Sequence, residues 1–188
     1  MPTTTRHQHA EDERKFRELI LYISQKCADD PTFGATKLNK ILYFSDFYHY
    51  GNTGSPITGF EYQKLPNGPC PRKLLPIRAK MLKEGILGIQ AKSLRNGNIQ
   101  HRTVNLRRPD LSVFSAEEIA QVDQVIEGLA MANAETASEL SHRMMGWIVA
   151  RDNETIPYAT VFLSSQPLTA EDKQRGLRFA KSHNLVIA

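Results

Sequence analysis

Cysteine is scarce in this sequence. Cys27 and Cys70 are the only two in 188 residues, too few for a disulfide framework and suited to a reducing compartment. A zinc site needs four organised Cys/His ligands, which two distant cysteines without companions do not supply. No apolar run approaches the roughly 20 residues of a membrane span. The polar start, Met1 to Arg14, is followed by no signal-peptide core, so a cytoplasmic location is expected. There is no Gly-rich loop ending in Gly-Lys-Ser/Thr and no Gly-x-Gly-x-x-Gly after a strand. Neither a Gly-x-Ser-x-Gly elbow nor a His-Glu-x-x-His helix occurs. The common nucleotide-binding, serine-hydrolase and metallopeptidase signatures are therefore missing, and no cofactor or metal is expected.

What is present is an ordinary globular composition, 40% hydrophobic and 23% charged, with a formal net charge of +4. A whole-chain disordered state is excluded by it. The charge is uneven. Residues 64–108 hold eleven Lys/Arg against one acid, Glu84, a net of +10, and residues 109–157 hold nine acids against Arg143 and Arg151, a net of −7. The basic block can face nucleic acid or an acidic protein, or pack beside the acidic block within one fold.

Periodicity predicts a mainly helical α+β domain of six or seven helices with a small antiparallel hairpin. Residues 1–10 read as a mobile tail, with no function assigned to His7 and His9. Residues 11–188 read as one domain. Phe16, Leu19, Ile20, Ile23 and Cys27 share one face of a helix over 11–28. Thr36 caps a second helix, stopped by Gly51, whose aromatic run from Tyr43 to Tyr50 belongs to the core. Residues 59–65 form a short strand that can join the hairpin. A third helix runs from Pro71 to Glu84; it either kinks at Pro76 or begins there. Asn96-Gly97 predicts a hairpin over 86–107. Ser115 to Glu118 and Thr136 to Glu139 are capping boxes for two further helices. Trp147 to Arg151 adds a turn, 157–163 connects, and Thr169 opens a terminal helix containing Leu177 and Phe179. Helix, glycine and basic hairpin over 71–108 also outline a winged helix-turn-helix, so a DNA-binding regulator is the alternative reading.

Chemistry is sparse. Glu139 and His142, at i and i+3, can meet on a helix face. Such a pair serves as a general base, a metal half-site or a plain surface pair, and no nucleophile stands near it.

Three patches are more specific: Lys37-Leu38-Asn39-Lys40-Ile41-Leu42-Tyr43-Phe44-Ser45-Asp46; Gly54 to Tyr62 with Leu65-Pro66-Asn67-Gly68-Pro69-Cys70-Pro71; and Thr136 to His142 with Trp147. In order and spacing, over about 15–152, they resemble the SocA-like Panacea domain of antitoxins and phage-associated proteins, leaving 153–188 as a helical extension. Cys70 stands where the family usually has valine or similar. The resemblance implies a non-enzymatic antitoxin that binds a toxin encoded next door. It also implies, in some members, an adaptor to an AAA+ protease; autoregulation through operator DNA belongs to the winged-helix alternative, and the two can coexist. For Leu38, Leu42, Phe44, Gly68, Pro69, Glu139, Leu140, Ser141, His142 and Trp147 a structural role is expected. Lys37, Lys40 and Tyr43, with Lys73, Lys80 and Lys83 of the basic block, are the expected partner-binding residues.

Overall fold

The computed structural model describes residues 9–93, 97, 99–164, 166, 169–171, 173–174 and 177–178. Among them the elements run α1 (Glu13–Lys26), α2 (Ala35–Thr53), β1 (Tyr62–Gln63), β2 (Cys70–Pro71), α3 (Leu74–Lys83), β3 (Leu87–Ser93) and β4 (Ile99–Asn105). A 3-10 turn (Leu111–Val113), α4 (Ala116–Gly128), α5 (Ala134–His142), α6 (Met145–Val149), β5 (Thr155–Ile156) and a second 3-10 turn (Tyr158–Phe162) follow. The result is the expected α+β domain, mainly helical. No helix among the described residues is long and apolar enough to cross a membrane.

α1 forms where the apolar stripe predicts it. Asp12 caps it, its side chain accepting from the Lys15 amide at 2.9 Å. Phe16, Leu19, Ile20, Ile23 and Cys27 are all buried. Burial pushes the Cys27 thiol up to about 11, which leaves it an inert packing group. The far end of α1 is closed from the hairpin. Arg102 of β4 donates to the carbonyls of Ala28 and Asp30, each at 2.7 Å, and of Cys27 at 3.3 Å. The Cys27 and Asp30 carbonyls also accept from the Asp30 and Phe33 amides, each at 3.2 Å, and Arg102 adds a charged donor to all three past the end of the helix.

α2 is the centre of the molecule. α1, α4, α5, β2, β4 and the second 3-10 turn all pack on it. Leu38, Ile41, Leu42, Tyr43, Phe44 and Phe47 are buried, so its aromatic run is core. The helix passes Gly51 and ends at Gly54, a left-handed C-cap with φ 79° whose amide returns to Tyr50 O at 2.8 Å. Its N-cap is Gly34 rather than Thr36.

Other boundaries moved too. Pro71 lies in β2, and Pro76 falls in the first turn of α3, where its missing N–H breaks no helical bond. Ser115 and Glu118 form the expected capping box on α4. α5 starts earlier, capped by Asn133, whose side chain accepts from the Thr136 amide at 2.9 Å.

β3 and β4 pair antiparallel from Leu87↔Asn105 to Ser93↔Ile99. Gly97 has φ 82°, as the turn demands; Asn96, its expected partner, lies outside the described residues. The strand expected over 59–65 does not join the hairpin. Tyr62 pairs instead with Pro71 and Ile156, in a separate sheet of order β2-β1-β5. The tail reading does not extend to His9, which sits edge-on to Tyr50 and Tyr158 with ring centroids 5.3 and 5.8 Å away. His7 and Phe179 lie outside the described residues, as does most of the expected terminal helix.

Candidate functional site

The three Lys and Asp side chains of α2, Lys37, Lys40 and Asp46, are buried, and each holds a different loop. In its first turn Lys37 is 1% exposed. Its Nζ donates to Asp30 Oδ2 at 2.6 Å, Thr32 Oγ1 at 2.9 Å, Ala132 O at 2.9 Å and Ala130 O at 3.3 Å. The two carbonyls follow the last turn of α4, the negative end of that helix dipole. Burial pushes the Asp30 carboxyl up, but the bonds from Lys37 and Thr32 outweigh it and hold the group below its ordinary range.

One turn on, Lys40 is equally buried, yet it forms no ion pair among the described residues. Its Nζ donates to Pro69 O at 3.2 Å. Desolvation lowers its pKa from 10.5 to about 8. Between those two values the unfolded chain holds a proton that the folded chain has lost, so stability climbs with pH across the window. The span corresponds to about 3 kcal/mol. Wild type should therefore gain about that much over Lys40→Met between pH 8 and 10.5 in urea unfolding; a constant difference would show that Lys40 is solvated.

Further along, Asp46 is fully buried and accepts from the Thr58 amide at 2.7 Å, Thr58 Oγ1 at 2.6 Å and Tyr62 Oη at 2.7 Å. Desolvation raises its pKa despite these bonds. Asp46, Thr58, Tyr62 and Asp30 were not among the expected site residues. The signal for Asp46 was its place as the one acid in an otherwise aromatic helical run.

The Gly-Pro turn and α5 close over Lys40. Gly68 has φ +96°, and a methyl group built on it would meet Ser141 Oγ and Lys40, whose Cε lies 2.8 Å away. Ser141 Oγ donates to Ser138 O at 2.7 Å, and Ser138 Oγ to Asn67 O at 3.1 Å. His142 stacks on Trp147, ring centroids 4.0 Å apart, and Trp147 Nε1 donates to Leu65 O at 3.2 Å. Burial, then the Lys40 charge, lowers the His142 pKa, which keeps the ring neutral at pH 7. Glu139 points to solvent and makes no hydrogen bond with His142. The expectation that Lys37, Lys40 and Tyr43 present themselves to a partner is corrected, since all three are 1% exposed. Their side chains close gaps between α2 and its neighbouring loops.

A family model for the antitoxin SocA-like Panacea domain matches residues 38–148, the span that holds the Lys40, Asp46 and α5 contacts, with Lys37 and Asp30 just before it. The chain belongs to this family. Neither a curated protein nor a solved structure matches it.

Outside its polar spine, the Panacea domain uses α1 as an electrostatic seam. Acids at and before α1 take the basic block: Glu11 pairs with Lys73, Glu13 with Lys80 at 2.9 Å, and Glu18 with Arg107 at 2.5 Å. Bases of α1 take the acidic block: Arg14 with Asp110 at 2.8 Å, Lys15 with Glu118 at 2.5 Å, and Lys26 with Asp123 at 3.1 Å. The two blocks thus compensate through α1 rather than against each other. Lys73 and Lys80 are paired while staying more than half exposed, Arg102 is spent on the end of α1, and Arg78 is buried. Lys83, Lys92 and Arg108 remain exposed.

The opposite side of the domain carries a groove of about 330 Å³ between α2, α4 and α5, lined by Phe44, Tyr48, Val125, Gly128, Leu129 and Leu140. It continues past Tyr48 into a hollow of about 390 Å³ that reaches Phe162. Tyr48 and Leu140 are 38% and 37% exposed, and Phe162 is 64% exposed. Leu140, expected to be structural, lines this open surface.

Proposed function

We propose that this protein is an antitoxin that silences a protein toxin by direct contact and without catalysis. The observation that carries the reading is the family match over 38–148, together with the use of its motif side chains. Lys37, Lys40, Asp46, Ser141 and Trp147 are spent on holding loops to α2 and α5. The family motif then specifies a scaffold, and the exposed surface is left to meet the partner.

Co-expression of the chain with the product of the adjoining reading frame tests this. Growth should be restored when the two are expressed together, and the two products should co-purify. Growth arrest that persists at equal expression would refute the reading. Toxin abundance separates two modes: an unchanged level marks silencing by binding, and a falling level marks delivery to an AAA+ protease. A mobility shift on upstream DNA, weakening with salt in proportion to the phosphates contacted, would assign the protein an operator-binding role as well.

A further inference from the structure

We infer that the groove between α2, α4 and α5 is the toxin's seat, and that it takes an amphipathic segment with apolar anchors flanked by Lys or Arg. The inference rests on the antitoxin reading and adds the surface and the chemistry of the partner.

Gly128 is the first ground. It is the last residue of α4, and glycine is the poorest helix former after proline. Neither usual reason for a glycine applies. Its φ is not in the left-handed region, and a methyl group built on it would have nothing within 4 Å. What the missing side chain provides is room, because Gly128 lines the groove beside Phe44, Val125 and Leu140. Any larger residue would project into that space.

The second ground is charge. In the acidic block, the acids that face α1 are neutralised there. The exposed acids elsewhere on the two helices that wall the groove are not: Glu117 and Glu127 on α4 and Glu135 and Glu139 on α5 form no ion pair among the described residues. Glu117 lies on the same stripe of α4 as Gln121, Gln124 and Gly128, and Arg143 stands one turn beyond Leu140. The exposed faces of the two wall helices are therefore mainly acidic beside a mostly apolar groove, a surface that favours cationic partners and repels anionic ones. Apolar anchors entering a helix-lined groove supply the affinity.

The test uses the full chain and two fluorescein-labelled amphipathic helical peptides, one built of Leu and Lys and one of Leu and Glu, read by anisotropy. Wild type and Gly128→Ala should bind the Lys peptide and not the Glu peptide. Gly128→Trp places its Cβ in open space, with nothing within 4 Å, and its indole in the groove, and should fold with unchanged circular dichroism. It should lose at least about tenfold in affinity for the Lys peptide, the scale of a blocked anchor. Glu127→Lys with Glu139→Lys should lose several-fold, while the remote Asp152→Lys should not. Equal binding of the Lys peptide by folded Gly128→Trp, or equal binding of both peptides by wild type, overturns the groove. In the co-expression assay, wild-type neutralisation with full neutralisation by Gly128→Trp overturns the groove as the seat and leaves the antitoxin reading standing. Failure of wild type to neutralise overturns the antitoxin reading, and with it the toxin as occupant. If Gly128→Trp converts a dimer to a monomer in light scattering, the occupant is a second copy and the toxin assignment falls.

Discussion

Replacing Lys37 with methionine should lower stability by about 3–5 kcal/mol, the cost of removing one partner from a buried ion pair. For a chain of this size the melting temperature should fall on the order of 10 °C. The substitution preserves length and removes the ammonium, so Asp30 Oδ2 and the carbonyls of Ala130 and Ala132 lose their donor together. The damage should be electrostatic rather than steric, which a second substitution can show. Adding Asp30→Asn to Lys37→Met removes the stranded charge and should recover part of the loss, because the two residues act as one unit. Acid offers an independent check. The Asp30 carboxyl is held below its ordinary range, so its contribution is present above the unfolded carboxylate pKa and disappears as pH falls through the lowered folded value. The gap between wild type and Lys37→Met should therefore narrow in that acidic window. A loss below about 1 kcal/mol, the value of a surface pair, would mean that water reaches the site.

Gly68→Ala should lower stability by roughly 2–5 kcal/mol, by two mechanisms that can be separated. A side chain in the left-handed region costs about 1–2 kcal/mol, and overpacking adds about 1–3 kcal/mol. The first follows from φ +96° and the second from Lys40 and Ser141, which already occupy the space a methyl group would need. Truncating Lys40 to alanine clears part of that space. In the double-mutant cycle, Gly68→Ala should then be milder in the Lys40→Ala background than in wild type, with a coupling energy of about 1 kcal/mol. Equal costs in the two backgrounds would assign the whole effect to the backbone and remove Lys40 from the contact. Thermal unfolding of the four proteins measures both quantities.

The local elements were legible because their signals are local. α1 reads from five apolar residues on one stripe, α4 from a capping box within one turn, and the hairpin from the Asn96-Gly97 turn signal. Small displacements came from competition between neighbouring caps. Gly34 displaced Thr36 at the start of α2, Gly54 displaced Gly51 at its end, and Asn133 displaced Thr136 on α5. The helical run through Tyr43, Phe44 and Phe47 also marked α2 as core, and the structure buries all three.

The lysines of α2 were a different matter. Charge and spacing suggest an exposed Lys37 and Lys40, because a buried lysine is costly unless its ammonium finds oxygens. Whether it does is decided by residues 130–132 and 69, brought in from distant parts of the chain. The charge blocks likewise show their net sign in the sequence, but which acids are neutralised depends on what α1 faces once it is packed. The sequence by itself therefore determined the helices, the hairpin and the family motifs, since these rest on contacts within a few residues or on residue order. Tertiary structure alone decided that the motif lysines lie inside, that α1 is the seam between the charge blocks, and that Gly128 faces an open groove. Burial, ion pairing and cavity shape are properties of neighbours in space, and neighbours in space are set only when the helices pack.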